Sequence, residues 1–576
     1  MAPTKPHVIF ALTDDWGWEL WPHDASRAAL LPVIRELFFD GGMTLSRHFA
    51  FMFCAPSRQS LLTGRLPHHV NQANSVCMGA PLAMRTIANR MRAAGAHTTL
   101  LGKWHCGFIS PGALPGARGF DDGVAFLMKA HHHYLHCSVA DATDRHAQGE
   151  CRTSHNVSLF DAFTFSPGRA PFRSSAREAG PAHPAARDRI YSTALYRDEA
   201  LRRIAAHDAA PDGPPLFLLL SFSAPHRPLL APPWLEERAR RARPDEQRAC
   251  ARDWYVSAAA GGGAAAHDRC TERTRASRLT YEAMVAGVDE AIGAVAEALK
   301  SRGMWERSLL VFASDNGAPM LPYSSNLPLR RGKGDVFDGG VRTRAALGGG
   351  WLPRHMRGAT SDVVVHISDW YATLSGLMGV PAADPNEDLT AVPPLDSVDV
   401  WSALTSSPLP RRRHAEPQLA SLGPARTLVL ATPEQSNAFQ GALLDARPAG
   451  PCGAGETGGG RGGGGGGGGG SSSGACDSPR AYKLVLNGTG GCRPGPCLFE
   501  TVADPAEAVD LAAARPALLT HLLGELRHAT RGAWTDPDRR NAECWTACRD
   551  AHKHPDCWMD YAQRHGATMQ PFAYLK

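Results

Sequence analysis

The 576-residue chain is predicted to be an α/β protein, with a mostly parallel central sheet flanked by helices and a smaller α+β C-terminal domain. Three observations predict this. Short apolar runs bounded by Pro, Gly or Asp recur along the N-terminal two thirds: Val8 to Leu12, Leu216 to Phe222 and Ser308 to Ala313. They have strand length, and their unbroken apolar character suits strands buried on both faces. Amphipathic stretches lie between them. Tyr281 to Lys300 carries Ala283, Val285, Val288, Ile292, Val295 and Leu299 on one stripe, and Thr86 to Ala94 repeats apolar residues at three- and four-residue intervals, the period of a helix face. Strands alternating with helices favour a parallel sheet, in which ligands bind beyond the carboxyl ends of the strands.

The later elements are of another kind. Gly458 to Gly474 is nearly pure Gly and Ser, broken by Arg461, and cannot bury enough apolar area to offset its ordering entropy. A flexible insertion is therefore expected over residues 433–480. It separates a catalytic domain at 1–415 from a C-terminal subdomain at 481–576, in which Tyr482 to Leu486 reads as a strand. Pro516 to Arg527 reads as a helix, with Leu518, Leu519, Leu522, Leu523 and Leu526 on it. The Pro- and Ala-rich stretches 167–187 and 257–267 read as surface insertions.

Composition excludes some functions. Hydrophobic residues make up 43% and charged residues 20%, ordinary for a globular enzyme. A net charge of +5 from 61 basic and 56 acidic residues is too small to argue for nucleic acid. No apolar run approaches the roughly 18 residues of a membrane span, so a soluble protein is expected. Fourteen cysteines suit disulfides in an oxidising compartment, with Cys492, Cys497, Cys544, Cys548 and Cys557 clustered late. A zinc site at Cys544 and Cys548 with His552 and His554 is the alternative. Met1 to Pro6 is polar and runs straight into the first strand, without a leader pattern; either a leader is missing or export takes another route. The sequons at Asn156 and Asn487 are compatible with secretory passage.

The chemistry-bearing runs fall at strand ends. Thr13-Asp14-Asp15-Trp16-Gly17 follows the first strand. Adjacent carboxylates repel unless a positive charge lies beside them. A hard divalent cation bound by oxygens would supply it; a helix N-cap with an acidic first turn is the alternative. Asp315-Asn316-Gly317 stands in the same place after another strand. Four oxygen-bearing side chains suit Ca²⁺, or Mg²⁺, and not zinc. Then come Cys54-Ala55-Pro56-Ser57-Arg58 and Leu62-Thr63-Gly64-Arg65. Gly102-Lys103-Trp104-His105 pairs a cation with an imidazole. Ala224-Pro225-His226-Arg227-Pro228 follows a strand, and Arg331-Gly332-Lys333-Gly334 precedes Asp338-Gly339-Gly340-Val341-Arg342.

In this order and spacing the runs resemble the sulfatase family, whose cysteine-type members carry Cys-x-Pro-Ser-Arg followed by Thr-Gly-Arg. The resemblance implies an alkaline-phosphatase-like fold and hydrolysis of sulfate monoesters. It implies that a formylglycine-generating enzyme oxidises Cys54 to formylglycine, whose hydrate is the nucleophile. It assigns Asp14, Asp15, Asp315 and Asn316 to Ca²⁺, with residue 54 beside the ion. Lys103, His226 and Lys333 would hold the sulfate, and Arg58 and His105 would position the hydrate. Asp315 would help deprotonate the attacking hydroxyl, and His226 or Lys333 would protonate the leaving alcohol.

Within the family the chain is most similar to the arylsulfatase B-like, N-acetylgalactosamine-4-sulfatase branch. Ser325-Asn326-Leu327-Pro328-Leu329-Arg330, Val365 to Leu374, and Leu498-Phe499 through Ala503-Asp504-Pro505 to Leu511 carry that likeness. Sulfated sugars or polysaccharides are the implied substrates, and a lysosomal or extracellular destination the implied location. A disulfide between Cys137 and Cys151 is implied by a bridged loop of the family. Cys106 replaces a usual Leu, and Asp335 and Asp338 replace a usual Thr and Glu; these departures are expected to shape the pocket without deciding the reaction. A phosphate or phosphonate monoester hydrolase on the same fold, and a catalytically silent binding protein, are the competing readings.

Overall fold

The computed structural model describes residues 5–74, 79–136 except 109 and 135, 190–243, 272–383, 392–406, 426–432, 441–447 and 480–533 except 488–490 and 493–494. It also describes short stretches at 158–159, 163–166, 173–174, 450–451, 475–476 and 574–575. Cys137, Cys151, Asn156, the 257–267 and 458–474 stretches, and Cys544, Cys548, His552 and His554 lie outside the described residues.

The strands of the main sheet are β1 (His7–Thr13), β2 (Met43–Phe49), β3 (His97–Lys103), β4 (Asp122–Phe126), β5 (Phe163–Phe165), β6 (Arg173–Ser174), β7 (Leu216–Ser221), β8 (Ser308–Ser314), β9 (Arg342–Gly348), β10 (Ala359–Ser361) and β11 (Val365–His366). Their order is β10-β2-β9-β8-β1-β7-β3-β4-β5-β6, with β11 also on β2. The middle, from β8 through β1, β7 and β3 to β4, is parallel. β9 runs antiparallel between β8 and β2.

β1 is wholly buried and its side chains alternate between two cores, as a pleated strand requires. Val8, Phe10 and Leu12 pack with Leu61 and Leu62 of helix α1 (Cys54–Thr63), Met91 of α2 (Ile87–Ala93) and Trp370 of α5 (Asp369–Leu377). Ile9 and Ala11 face α3 (Ser192–Ala206) and α4 (Glu272–Ser301). The stripe expected on the long helix, Val285 to Leu299, is buried on this side, and the helix begins nine residues before Tyr281. Thr86 caps α2 through a capping box with Asn89.

The register positions the site. Thr13 pairs Ser314, and Leu12 pairs Ser221, which in turn pairs Gly102. The residues just beyond these pairs are Asp14, Asp315 and Lys103, so three charged groups leave the sheet in one row. Gly102 has φ +112, and a Cβ there would lie 2.0 Å from Ser221 O, which excludes any side chain beside Lys103.

The C-terminal sheet is antiparallel, in the order β12 (Arg426–Ala431), β13 (Gly441–Arg447), β14 (Arg480–Leu486), β15 (Cys497–Glu500). Two of its strands precede residue 481, so the boundary drawn from the Gly-rich composition is corrected. β13 lies inside the expected 433–480 insertion, yet Ala442 to Ala446 are buried; the surrounding glycines obscured a seven-residue strand. One face, with Leu443, Leu484 and Leu498, is covered by Leu522 and Leu526 of α6 (Pro516–Arg531). The other, with Leu444, Ala481 and Val485, packs on Phe49, Phe51, Phe337 and Val341 of the main body. Cys492 and Cys497 form a disulfide just before β15, among the late cysteines but not the pairing that resemblance suggested.

Candidate active site

Each residue of the Cys54–Arg58 run has a local task. Cys54 opens α1 after Phe53 in extended conformation, which provides no side-chain cap. Asn74 Oδ1 accepts from Ala55 N at 3.3 Å in the first turn, and the positive end of the helix dipole lies beside residue 54, a setting that favours anions. Pro56 sits in the first turn, where no N–H is missed. Ser57 Oγ accepts from Phe51 N at 2.9 Å and donates to Phe53 O at 3.0 Å, fastening the chain that leads into the helix. Arg58 reaches Asp315 with Nε at 2.9 Å and Nη2 at 2.8 Å, and donates through Nη1 to Ser221 Oγ at 2.6 Å and Lys103 O at 3.2 Å. Thr63-Gly64-Arg65 ends the helix: Gly64 is left-handed at φ 69 and a Cβ would strike Tyr371 at 2.8 Å. Arg65 is buried and donates to Pro393 O and Thr63 O.

Around Cys54 the expected residues converge. Its thiol donates to Asp14 at 3.3 Å. Lys103 donates to the other Asp14 oxygen at 2.5 Å. Lys333 bridges Asp15 at 2.5 Å and Cys54 Sγ at 3.1 Å. Asn316 Nδ2 donates to Asp15 at 2.7 Å, and His226 Nε2 lies 3.8 Å from Asp15. Asp14-Asp15 is therefore a turn beyond a strand and not a helix cap; Asp15 is left-handed at φ 64. His105 is also left-handed, at φ 48, and buried with both ring nitrogens unpartnered.

Charges are balanced in a nearly dry site. Burial raises the Asp14 carboxyl, but Lys103, His226, Lys333 and Arg58 outweigh it and hold it well below the usual range. Burial, opposed by Lys333 and reinforced by Asp14, leaves Asp15 raised. Asp315 is pushed to about 7 by burial and by Asp14, against Arg58, Lys103 and Lys333. The Cys54 thiol is pushed to about 12 by burial and by Asp14, against Lys103 and Lys333. His226 is held well below its usual value by burial, hence neutral, and its Nδ1 contacts Arg227 O at 2.6 Å. If Nδ1 donates there, Nε2 turns a lone pair toward the Asp15 carboxylate, an arrangement that wants a cation or proton between the two acceptors.

The donor set fits a hard divalent cation. Ligand atoms of Asp14, Asp15, Cys54 and His226 lie within 4.8 Å of one another. Asn316 Oδ1 is buried and without a hydrogen-bond partner, and carboxylate and amide oxygens predominate, the ligand type of Ca²⁺ and Mg²⁺. Asp315 is adjacent but engaged by Arg58.

Asp335 and Asp338, the two departures noted in the loop around Lys333, are held in ion pairs. Both are fully buried, and pair with Arg331 and with Lys483 and Arg342 respectively. Further residues support the site beyond those that stand out in the sequence. Tyr281 on α4 donates to Asp15 O at 2.7 Å and accepts from Gly17 N at 2.9 Å. Ser221 links Arg58 to Lys103 O. His131 and His133 contact Ser223 Oγ at 3.3 Å and His226 O at 3.3 Å. Only the repeated histidines of His131-His132-His133 offered a signal.

The sulfatase family model matches residues 6–380, well over half of the chain. The chain belongs to the sulfatase family. Mouse arylsulfatase J is 27% identical over 409 residues, covering 70% of this chain and 56% of the relative, so the chain spans just over half of that relative's length. Among solved structures, Ps i-CgsB in complex with k-i-k-neocarrahexaose superposes with a TM-score of 0.61 at 20% identity, covering 96% of this chain and 99% of that one. The phosphonate monoester hydrolase of Agrobacterium radiobacter superposes with a TM-score of 0.54 at 20% identity, covering 92% and 96%. These two carry the fold.

Proposed function

We propose that the chain is a sulfuric ester hydrolase that cleaves sulfate monoesters of sugars or polysaccharides, with a formylglycine hydrate at position 54 as nucleophile and a bound Ca²⁺. The observation that carries the reading is the place of Cys54, at the N-terminus of α1 between the Asp14 carboxylate and the Lys333 ammonium. A plain thiol would serve poorly there. At about 12 it is protonated at neutral pH, and the thiolate is the reactive form. Oxidation of the side chain removes that obstacle.

Asp14, Asp15, Asp315 and Asn316 would hold the ion, which supplies positive charge for the sulfate oxygens and the nucleophile. The chain's own groups do the rest. Lys103, on Asp14, and Lys333, on Asp15, offer ammonium donors to a sulfate beside residue 54. Arg58, locked on Asp315 and Ser221, fixes the orientation of that carboxylate. Asp315, near 7, is poised to accept a proton. Charged Lys333 is the candidate donor to the departing alcohol, since neutral His226 holds Nδ1 against Arg227 O.

The carbohydrate reading is supported by the branch-specific runs and by the neocarrahexaose complex of the solved neighbour. Family and cysteine usage support maturation with a formylglycine-generating enzyme in the secretory pathway, and residue 487 as a glycosylation site. Among the described residues no helix is long and apolar enough to cross a membrane. The shared fold of the phosphonate hydrolase sustains a second reading, phosphate or phosphonate ester hydrolysis. Turnover of 4-nitrophenyl sulfate against 4-nitrophenyl phosphate separates the two. The sulfate ester is expected to be hydrolysed faster; a strong preference for the phosphate ester would overturn the proposal.

A further inference from the structure

Lys483 lies on β14 of the C-terminal sheet, far in sequence from the catalytic residues. Its neighbours Tyr482 and Leu484 face α6, whereas Ala481 and Val485 face the main body. Alternation therefore turns Lys483 toward the main body. It is fully buried, as are Asp338 and Glu507. Its ammonium lies 2.6 Å from Asp338 Oδ1 and 2.9 Å from Glu507 Oε1. Glu507 Oε2 accepts from Asp338 N at 2.7 Å, and Glu507 O from Arg330 Nη1 at 2.5 Å. The Arg330 guanidinium sits 4.3 Å above the Phe337 ring.

These contacts close on one segment, residues 330–342, which carries Lys333. The segment is held at both ends from the C-terminal side: Arg330 and Asp338 both bond Glu507. In between, Lys333 N donates to Ala318 O at 3.0 Å and Gly334 N to Met52 O at 2.9 Å. A lysine buried in an apolar seam costs several kcal/mol in desolvation unless well paired, and hydrophobic residues of similar size would pack there at least as stably. A paired charge adds directionality, since Lys483 holds the Asp338 side chain while Glu507 holds both that lysine and the Asp338 backbone N–H.

We propose that Lys483 and Glu507 are positioning residues that act through Asp338 to hold Lys333 against Asp15 and residue 54, making the C-terminal sheet a working part of the active site. The inference rests on the sulfatase reading only for the role of Lys333, and its test has one arm that needs no turnover. The rate at which acetic anhydride acetylates Lys333, followed by peptide mass spectrometry, reports how firmly that ammonium is held. Lys483→Met and Glu507→Gln are each expected to raise it at least tenfold, and to lower kcat/KM for 4-nitrophenyl sulfate at least tenfold at temperatures where the fold is intact. Leu526→Ala, which loosens the opposite face of the same sheet, is expected to lower Tm without changing either rate. Should Lys483→Met fail to fold, Glu507→Gln carries the test. Labelling rates equal to wild type, or raised equally by Leu526→Ala, overturn the clamp. Wild-type protein that is clamped but does not hydrolyse the sulfate ester would sink the functional reading alone.

Discussion

Cys54 and Asp15 show how much single residues carry. Replacing Cys54 by Ser supplies a hydroxyl but no geminal diol, so a sulfated serine would have no internal route of release. Cys54→Ser is expected to accumulate one covalent sulfate per chain in intact-mass spectra; steady turnover by that variant would contradict the mechanism. Asp15 depends on Tyr281, whose hydroxyl joins Asp15 O to Gly17 N across a left-handed turn. Backbone in that region persists only where its surroundings enforce it. Tyr281→Phe is expected to cost about 1–3 kcal/mol of stability and to weaken Ca²⁺ binding measured by calorimetry. Unchanged values for both would mean that the sheet alone holds the turn. The sequence made Cys54, Arg58, Lys103, His226 and Lys333 legible because each stands in a short run whose neighbours have local tasks, such as Ser57 fastening the helix entry. Tyr281 was illegible because its role is made by contact across 264 residues.

At the scale of elements, β1, β7 and β8 were visible as apolar runs while β3 was not, and the register of the four brings Asp14, Lys103 and Asp315 into a row. β13 was hidden by the glycines that follow it. β9 gave no sign of its antiparallel direction, which is set by its pairing with β2 and not by its own residues. Where β3, β4 and α3 meet, Asp122 bonds His97 and Arg203. Burial raises its carboxyl, but the bond to His97 and the Arg203 charge prevail, lowering it from 3.8 to about 2. A carboxylate lowered by folding contributes stability that is full above its unfolded value and is lost as pH falls through the folded one. The contribution, about 2 kcal/mol, should thus fade between pH 3.8 and about 2. Denaturant titrations of Asp122→Asn are expected to show a shallower loss of stability over that window; a slope equal to wild type would rule the pairing out as a stabiliser.

For the whole molecule, ion and fold are expected to be linked. Burial and the neighbouring Asp14 raise the Asp15 carboxyl, and a divalent cation that relieves the repulsion between the two would stabilise the native state by about 2.7 kcal/mol at a free concentration 100-fold above Kd. Chelation is expected to lower Tm by several degrees, with recovery by Ca²⁺ and not by monovalent salt; a Tm indifferent to chelator would argue against a resident ion. The two sheets meet through an apolar seam that includes Phe49, Phe337 and Val485, with Lys483 and Asp338 paired beside it. Neither partner of that pair stood out in the sequence, where Asp338 read only as a departure from the family's usual glutamate.

Everything converges on the side chain at position 54. Mass spectrometry of the tryptic peptide spanning residues 48–58, from protein made in its native source, tests the central claim most directly. The account predicts a peptide that has lost one sulfur and two hydrogens and gained one oxygen relative to the cysteine form, and that reacts with a carbonyl reagent. A peptide that carries an intact Cys54 thiol in fully active protein would contradict it.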